Sequence, residues 1–590
     1  MKKYINLFLP LYRRFQKEAM LPDCICYELD IPVLTKEIEK GYLRFLYRQR
    51  KCFMLDEISP LQNARALFSL SLPDVLKDLD MVSFKKDEVF VNPSIEPLFP
   101  HLSGASVLKG EKGSNIKSRA MRVGVVLSGG QAAGGHNVIA GLFDGLTALN
   151  GSSSLIGFLN GPSGIVHGKY KEISRELIAS YRNQGGFDLL GSGRTKIKTQ
   201  EQLASALSHT RALNLDGIIF IGGDDSNTNA AILAEYFLAH ECTTCVIGVP
   251  KTIDGDLQNL FVPISFGFDS ACKVYSEMIG NIARDALSAK KYYHFIKLMG
   301  RSASHITLEC ALSTRINLAL IAEEIAQKQM TFKDLLSEIC DMICERSYRG
   351  KDYGVILIPE GLLEFIPEMK RLINELNLLV VGKQTIAPDQ ILALLSITGR
   401  DSFSSLPESI QKQLLLSRDP HGNVPLSMIE TDKLICQAVE DELMIRRSAG
   451  LYQGNFQAVD HFFGYEGRSG IPSNFDAHYC QALGFVAALL LRDKVTGYMC
   501  FISGLQHPIS DWEIGGVPLI SLMQIELRHG KQQPVIKKTL VDLEGQPFQV
   551  YAGKRGEWKY SDAYCYPGPT QYYGPDTISL SIPITIKLRG

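Results

Sequence analysis

The chain has 590 residues, of which 45% are hydrophobic and 21% charged, and its formal net charge at pH 7 is −1. This length is too great for a single hydrophobic core and predicts about two to four domains. The balanced charge gives no general attraction to nucleic acid or to a membrane, and no stretch is apolar over the roughly 18 residues of a membrane span. Thirteen cysteines without a paired framework are typical of a reducing compartment, so we expect a cytoplasmic protein.

The chain begins with residues 1–118, which have a helical pattern and carry no catalytic constellation. We interpret them as a helical N-terminal extension. Strand-like and helix-like segments then alternate, and the helical stretches between strands are about ten to fifteen residues long. This alternation predicts an α/β fold whose parallel sheets are covered on both faces. The apolar, β-rich runs lie at 122–127, 155–159, 217–221, 245–249, 295–299 and 354–358.

The strand-rich part of the chain divides around a helical stretch. Residues 119–300 are predicted to form one α/β domain, and residues 301–361 with 451–590 a second one. Residues 362–450 are rich in Leu, Ile, Lys and Glu and lack motifs that carry chemistry. We therefore predict that they form a helical insertion within the second domain.

Glycine-rich loops follow four of the predicted strands, and two of these loops carry charge. Gly222–Ser226 (GGDDS) follows the third run, and Pro250–Asp256 (PKTIDGD) follows the next. Because the carboxyl ends of neighbouring parallel strands meet at one edge of a sheet, we expect both loops to line one crevice. Bare glycine backbone accommodates phosphate, and carboxylates hold Mg²⁺. The sequence therefore predicts a site for phosphate and magnesium.

Simpler interpretations of these loops stay open. Asp225 or Ser226 could cap the helix that follows, and Lys251 with Asp254 could form a surface ion pair of little energetic value. Neither GxGxxG nor GxxxxGK[ST] occurs, so a dinucleotide fingerprint and a Walker-type loop are not supported. Phosphoryl transfer would use the same lysine to stabilise developing charge and the same aspartate to take the acceptor's proton.

Ordered motifs extend over most of residues 120–590. They include GGQ at 129–131, GFLNGPSGIVHGKY at 157–170, GGDDS at 222–226, PKTIDGDLQN at 250–259, MGR at 299–301, PEG at 359–361 and GYEGRSG at 464–470. In this order the motifs resemble the phosphofructokinase family, and in particular its pyrophosphate-dependent, long-chain branch. One departure is Ala133, where the family's first loop often has a proline, but this change removes no hydrogen-bond donor. The resemblance implies two Rossmann-like domains of the phosphofructokinase fold, the first for the phosphoryl donor and the second for a sugar phosphate.

The resemblance implies reversible, Mg²⁺-dependent transfer of a phosphoryl group from pyrophosphate to the C1 hydroxyl of fructose 6-phosphate, a step of glycolysis. Asp254 would be the base, Lys251 would stabilise the transferring group and Asp224 would bind Mg²⁺. Gly129 and Arg194 would bind diphosphate. Lys291 and Tyr292 would reach the sugar site of a neighbouring subunit, which implies a homodimer with shared sites. The other sugar-phosphate ligands would be Thr252, Ile253, Asp254, Met299, Gly300, Arg301, Glu360, Tyr465, Glu466, Gly467 and Arg468.

The residue at position 225 bears on the phosphoryl donor. In the family, glycine there accompanies ATP use and aspartate accompanies pyrophosphate use. A carboxylate such as that of Asp225 would repel the α-phosphate of a nucleotide. Three alternatives remain. The first is an ATP-dependent 6-phosphofructokinase, and the second is a non-catalytic regulatory subunit of the same fold, which would require the loss of Asp254, Lys251 or Arg301. The third is a simple sugar-phosphate binding module, which would not need the Mg²⁺ carboxylates.

Overall fold

The computed structural model describes residues 59–89, 92–113, 115–301, 303–380, 388–415, 428–528 and 531–589. About half of the predicted N-terminal extension, residues 1–58, lies outside these ranges. The strands are β1 (Val82–Val89), β2 (Ser106–Lys112), β3 (Arg122–Leu127), β4 (Ser154–Phe158), β5 (Tyr170–Glu172), β6 (Gly217–Gly222), β7 (Cys245–Pro250), β8 (Tyr292–Leu298), β9 (Leu318–Ala319), β10 (Tyr353–Pro359), β11 (Ala458–Phe463), β12 (Tyr498–Ser503), β13 (Glu513–Pro518), β14 (Met523–Arg528) and β15 (Lys531–Ile536).

Helices connect and cover these strands. None of the helices in the described ranges is both long enough and apolar enough to cross a membrane. They are α1 (Pro60–Ala66), α2 (Gly135–Leu149), α3 (Pro162–Val166), α4 (Arg175–Ala179), α5 (Gln200–Ala212), α6 (Asp224–Ala239), α7 (Phe268–Ala289), α8 (His305–Thr314), α9 (Ala322–Gln327), α10 (Phe332–Tyr348), α11 (Pro367–Val380), α12 (Pro388–Leu392), α13 (Ile397–Ser404), α14 (Glu408–Leu414), α15 (Thr431–Ser448), α16 (Asn474–Arg492), α17 (Gln546–Trp558), α18 (Asp576–Ser579) and α19 (Ile584–Lys587).

The strands form two main sheets and one hairpin. The larger sheet has nine strands in the order β1-β2-β13-β12-β7-β6-β3-β4-β5, and the smaller has the order β11-β8-β10-β9. From β12 to β4 the larger sheet is parallel, and so is the whole of the smaller sheet. Strands β14 and β15 pair with each other. This architecture confirms the predicted α/β fold with parallel sheets.

The central strands are apolar on both faces because helices cover both sides of the sheet. Every residue of β6 and β7 is buried, and in β3 every residue after Arg122 is buried. Strands buried on both faces have nearly continuous hydrophobic runs rather than alternating ones. The apolar runs at 122–127, 217–221 and 245–249 were therefore sufficient to locate this part of the sheet.

Helices α2 and α16 approach each other more closely than side chains would normally allow. A Cβ on Gly141 would lie 2.2 Å from the carbonyl oxygen of Gln481, and a Cβ on Gly484 would lie 2.4 Å from the amide nitrogen of Leu142. The two glycines therefore permit backbone-to-backbone contact. Since α2 follows the loop after β3, this packing fixes the loop at 128–135.

The two sheets do not follow the predicted domain boundaries. Strand β8, predicted in the domain of residues 119–300, belongs to the smaller sheet, and β12 and β13, predicted in the second domain, belong to the larger one. Helix α16 carries the chain back to β7, with which β12 pairs in parallel. A parallel pairing requires such a crossover, and a strand's own sequence indicates its burial but not the sheet that it joins.

The segment before residue 118 is only partly helical where it is described. Strands β1 and β2 pair antiparallel and extend the larger sheet through β13. Charged residues such as Lys85, Lys86 and Asp87 occupy exposed positions on β1, and charge of this kind protects an edge strand from aggregation. Because these charges interrupt the apolar pattern, the sequence does not indicate a strand here. Between 362 and 450 the described residues include the helices α11 to α15.

Candidate active site

The carboxyl ends of β6 and β7 place the two charged loops side by side. The strands are parallel and in register, with Gly222 opposite Pro250. The amide of Lys251 donates to the carbonyl oxygen of Gly222 at 3.0 Å. Each loop therefore begins at the same edge of the larger sheet, and the crevice expected from the sequence is present.

The first charged loop leads directly into helix α6. Gly223 is the N-cap residue, and no described side chain caps this helix, so the capping interpretation of Asp225 and Ser226 does not hold. Asp224 and Asp225 lie in the first turn, where the helix dipole stabilises carboxylates. The Ser226 hydroxyl instead donates to Ser128 Oγ at 2.8 Å and connects the helix to the loop after β3.

Lys251 lies at the base of the crevice against the first glycine loop. Its side chain is 5% exposed, and its Nζ donates to the carbonyl oxygen of Gly130 at 2.7 Å. Burial lowers the pKa of Lys251 to about 8, although Asp254 acts in the opposite direction. Gly129 has a φ of +86°, and a Cβ there would lie 3.4 Å from the lysine Nζ. This glycine lets the loop turn beside the ammonium group.

Two arginines approach the same glycine loop. A Cβ on Gly130 would lie 2.7 Å from a guanidinium nitrogen of Arg468 and 3.8 Å from one of Arg194. Arg468 also donates to Oε1 of Gln131. The amide of Gly129 donates to the carbonyl oxygen of Gly193 at 2.9 Å. The residues predicted to bind diphosphate thus lie together with Lys251 and form a cationic side of the crevice.

Carboxylates lie beside this cationic side of the crevice. The amide of Asp254 donates to Thr252 Oγ1 at 3.1 Å, and Ile253 between them is buried in the core. Asp256 is buried as well. Burial, together with the charges of Asp254 and Asp224, raises its pKa to about 7. Three carboxylates therefore influence one another in a small space.

This donor set fits Mg²⁺. Carboxylate oxygen is the ligand type that Mg²⁺ prefers, and the ion usually takes one or two protein carboxylates while substrate phosphates and water complete its shell. In the described ranges, no group of three or more His, Cys, Asp or Glu side chains forms a ready-made metal cage. A single carboxylate such as that of Asp224 beside a phosphate site is compatible with this mode of binding.

The smaller sheet contributes a second group of predicted residues. Met299, Gly300 and Arg301 follow β8, and Glu360 follows the neighbouring strand β10. The amide of Gly300 donates to Oε2 of Glu360 at 2.9 Å, and the amide of Met299 donates to the carbonyl oxygen of Phe463 at 2.9 Å. Strands β8, β10 and β11 therefore end together and present these residues at one edge.

Glu360 is the most buried acid at this edge, with 1% of its surface exposed. Burial raises its pKa to about 7, while the Gly300 N–H and the charge of Arg301 act in the opposite direction. Among the described residues, no group hydrogen-bonds to its Oε1. A buried acceptor that lacks a protein partner is suited to a ligand hydroxyl.

Tyr465, Glu466 and Gly467 form a short turn after β11, with Arg468 directly after it. Oε2 of Glu466 accepts from the amide of Gly464 at 2.8 Å. The Arg468 guanidinium lies 5.2 Å from the centre of the Tyr465 ring, so cation–π attraction orients it. Because Arg468 also contacts Gln131, this turn joins the smaller sheet's edge to the cationic side of the crevice.

Lys291 and Tyr292 are not brought into this site. They lie at the start of β8, whereas Met299 follows the end of this seven-residue strand. At roughly 3.3 Å per residue the two ends are about 20 Å apart. Tyr292 has a φ of +73°, and Lys291 Nζ lies 4.9 Å from its ring centre. Within one chain, Lys291 and Tyr292 lie at one end of the strand, and the residues predicted to bind the sugar phosphate follow its other end.

Two lysines at the site were not predicted. Lys196 Nζ lies 3.0 Å from Asp225 Oδ1, and Lys538 Nζ lies 3.7 Å from Asp224 Oδ2. Lys196 is two residues beyond Arg194, so proximity in sequence could have indicated it. Lys538 is far from every motif in the sequence, and only the folded chain brings it to the site.

Known proteins resemble this chain over most of its length. The family model described as Phosphofructokinase matches residues 122–491. A protein of Treponema pallidum named pyrophosphate--fructose 6-phosphate 1-phosphotransferase is 52% identical over 480 residues, which cover 80% of this chain and 84% of the relative. A protein of the same name from Entamoeba histolytica is 49% identical over 535 residues, which cover 88% of this chain and 97% of the relative.

A solved structure gives independent support for the fold. The crystal structure of a pyrophosphate-dependent phosphofructokinase from Nitrosospira multiformis matches with a TM-score of 0.50 at 15% identity and covers 80% of this chain and 97% of that one. Identity this low supports the fold alone. The family match over 122–491 and the relatives at about half identity carry the assignment. This chain belongs to the phosphofructokinase family.

Proposed function

We propose that this protein transfers a phosphoryl group reversibly from pyrophosphate to the C1 hydroxyl of fructose 6-phosphate, giving fructose 1,6-bisphosphate and phosphate in glycolysis. The observation that carries the proposal is the pairing of the two strand-end loops, with Asp225 in the first turn of α6 and Lys251 beside the glycine loop. The relatives named for this activity, at 52% and 49% identity, support it.

The chemistry follows from the charges of the crevice. The C1 oxygen attacks the terminal phosphorus of diphosphate, the carboxylate of Asp254 takes the hydroxyl proton, and the bridging P–O bond breaks to release phosphate. The ammonium of Lys251 and the guanidinium of Arg194 stabilise the charge of the transferring group and of the leaving phosphate. Mg²⁺, for which Asp224 is the proposed ligand, neutralises charge on the diphosphate oxygens when it is bound.

The edge of the smaller sheet is the proposed sugar-phosphate site. Oε1 of Glu360, which has no hydrogen-bond partner among the described residues, accepts a hydrogen bond from a sugar hydroxyl. Arg301 and Arg468 bind the 6-phosphate through charge-assisted hydrogen bonds. The backbone of Met299 and Gly300 and the turn at Tyr465–Gly467 shape the pocket. Thr252 and Ile253 position Asp254 against the C1 hydroxyl.

Lys291 and Tyr292 complete the sugar site of a second copy in this proposal, so the protein acts as a homodimer. Their position about 20 Å from the end of β8 supports a role in another subunit's site. Mixing Lys291→Met with Asp254→Asn protein tests the sharing, because a mixed dimer would contain one intact site. Recovery of activity on mixing is expected, and its absence would contradict a shared site.

We also propose a cytoplasmic location. The cysteines that the structure describes are free, as in proteins from reducing compartments. Fractionation of cells that express the protein checks this proposal.

The donor is tested by a coupled assay of fructose 6-phosphate with pyrophosphate and, separately, with ATP. We expect turnover with pyrophosphate and none with ATP until Asp225 is replaced by glycine. Equal or greater turnover of the unmodified protein with ATP would overturn the donor assignment. The regulatory-subunit alternative is disfavoured because Asp254, Lys251 and Arg301 are all present, and turnover by the purified chain alone would exclude it.

A further inference from the structure

Lys538 enters the crevice from a part of the chain that the family match at residues 122–491 does not cover. It follows β15 by two residues. Its Nζ lies 3.7 Å from Oδ2 of Asp224, the proposed magnesium ligand. A lysine ammonium has three donors that suit phosphate oxygens.

The backbone before Lys538 is attached to the first charged loop. The amide of Ile536 donates to Thr228 Oγ1 at 3.1 Å. The same hydroxyl donates to the carbonyl oxygen of Asp224 at 2.9 Å. The end of β15 is thereby fixed to the first turn of α6, which carries the proposed metal ligand.

The backbone after Lys538 is attached to the second charged loop. The amide of Thr539 donates to the carbonyl oxygen of Asp256 at 2.8 Å. The hydroxyl of Thr539 donates to the carbonyl oxygen of Gln258 at 2.6 Å. The carbonyl oxygen of Thr539 also contacts Nε2 of His305 at 2.9 Å. The main chain on either side of Lys538 is therefore attached to both charged loops, which holds the backbone of this residue at the crevice.

Lys538 lies among carboxylates. Its Nζ is 3.7 Å from Oδ2 of Asp224, and the next residue along the chain bonds to the backbone of Asp256. When a divalent cation binds Asp224, it and the nearby ammonium repel each other. Because the backbone is held on both sides, an anion that contacts both cations relieves this repulsion. The anionic ligand expected at this place is the donor.

We propose that Lys538 is a donor-binding residue whose ammonium contacts the phosphate oxygens of diphosphate beside the metal on Asp224. This inference rests on the proposed function for the identity of the donor. It assigns the segment after β15 a direct part in the site, in addition to packing.

The test compares Lys538→Met and Lys538→Gln with Lys537→Met, which removes the adjacent, exposed lysine. In the coupled assay, the KM for pyrophosphate should rise at least about tenfold in both Lys538 variants, as expected for a lost charge-assisted contact. The KM for fructose 6-phosphate should stay within about twofold, and Lys537→Met should resemble the unmodified protein.

Calorimetric titration of pyrophosphate without fructose 6-phosphate, with and without Mg²⁺, gives a readout that needs no turnover. A drop in affinity of about tenfold or more for the Lys538 variants, with melting temperatures close to that of the unmodified protein, supports donor contact. Unchanged affinity, or an equal rise in both KM values, would overturn it. Failure of the unmodified protein to turn over pyrophosphate would refute the proposed function instead, so the two failures are distinguishable.

Discussion

A buried carboxyl group where helices α7 and α16 meet should make the stability of this protein depend on pH. Asp476 lies in the first turn of α16 and has no exposed surface. It accepts from the amides of Gly267 and Ser270 at 3.1 and 2.9 Å and from the Ser270 hydroxyl at 2.6 Å. Since α7 follows the loop of Lys251, this contact fixes both helices relative to the site.

Burial, with the neighbouring charge of Asp269, raises the pKa of Asp476 to about 7 from a value of 3.8. A raised carboxyl pKa means that the folded state binds the proton more tightly than the unfolded state does. The stability is therefore fully present below pH 3.8 and is lost as the pH rises toward 7. At 1.36 kcal/mol per pKa unit, the loss between pH 5 and pH 8 is about 3 kcal/mol.

Asp476→Asn removes this titration while it keeps an oxygen that can accept from one amide. We expect the free energy of unfolding of the variant, relative to that of the unmodified protein, to improve by about 3 kcal/mol from pH 5 to pH 8. Urea unfolding of both proteins at several pH values measures this difference. Parallel pH profiles for the two proteins would refute the reasoning.

Four further substitutions test the site and the helices. Asp254→Asn should lower kcat with pyrophosphate by about 10²- to 10⁴-fold with a small change in the KM for fructose 6-phosphate, as expected for loss of a general base; a similar kcat would argue against that role. In the unmodified enzyme kcat/KM for fructose 6-phosphate should rise with pH through about 7 as Glu360 ionises, and Glu360→Gln should remove that limb of the profile. Gly141→Ala should destabilise by about 1–3 kcal/mol, because its Cβ would lie 2.2 Å from the Gln481 carbonyl oxygen. Gly553→Ala, with open space at its Cβ, should stabilise by about 0.5–1 kcal/mol; thermal unfolding compares the two.

The sequence was most informative where function depends on local order along the chain. The strand predicted at 122–127 coincides with β3, and those at 217–221 and 245–249 end within one residue of β6 and β7. Buried parallel strands are continuous apolar runs, so their ends, and the loops that follow, are visible without a structure. Asp224, Lys251 and Asp254 were located for this reason.

What the sequence could not provide are the contacts between distant segments. Strand β12 has an apolar run, but its pairing with β7 depends on the path of α16. Strand β1 is concealed by the charges that protect its edge. Lys538 is an ordinary lysine in its local sequence, and its proximity to Asp224 arises only from the attachment of β15 to α6.

The two lysines of the crevice show how its charge is arranged. Burial and the nearby Arg468 lower the pKa of Lys251, whereas carboxylates raise that of Lys538. The first lysine therefore lies on a side already rich in positive charge, and the second on a side rich in negative charge. A polyanion is attracted to the first side, and a metal ion to the second, where Asp224 lies. A donor that carries its own magnesium would satisfy both sides at once.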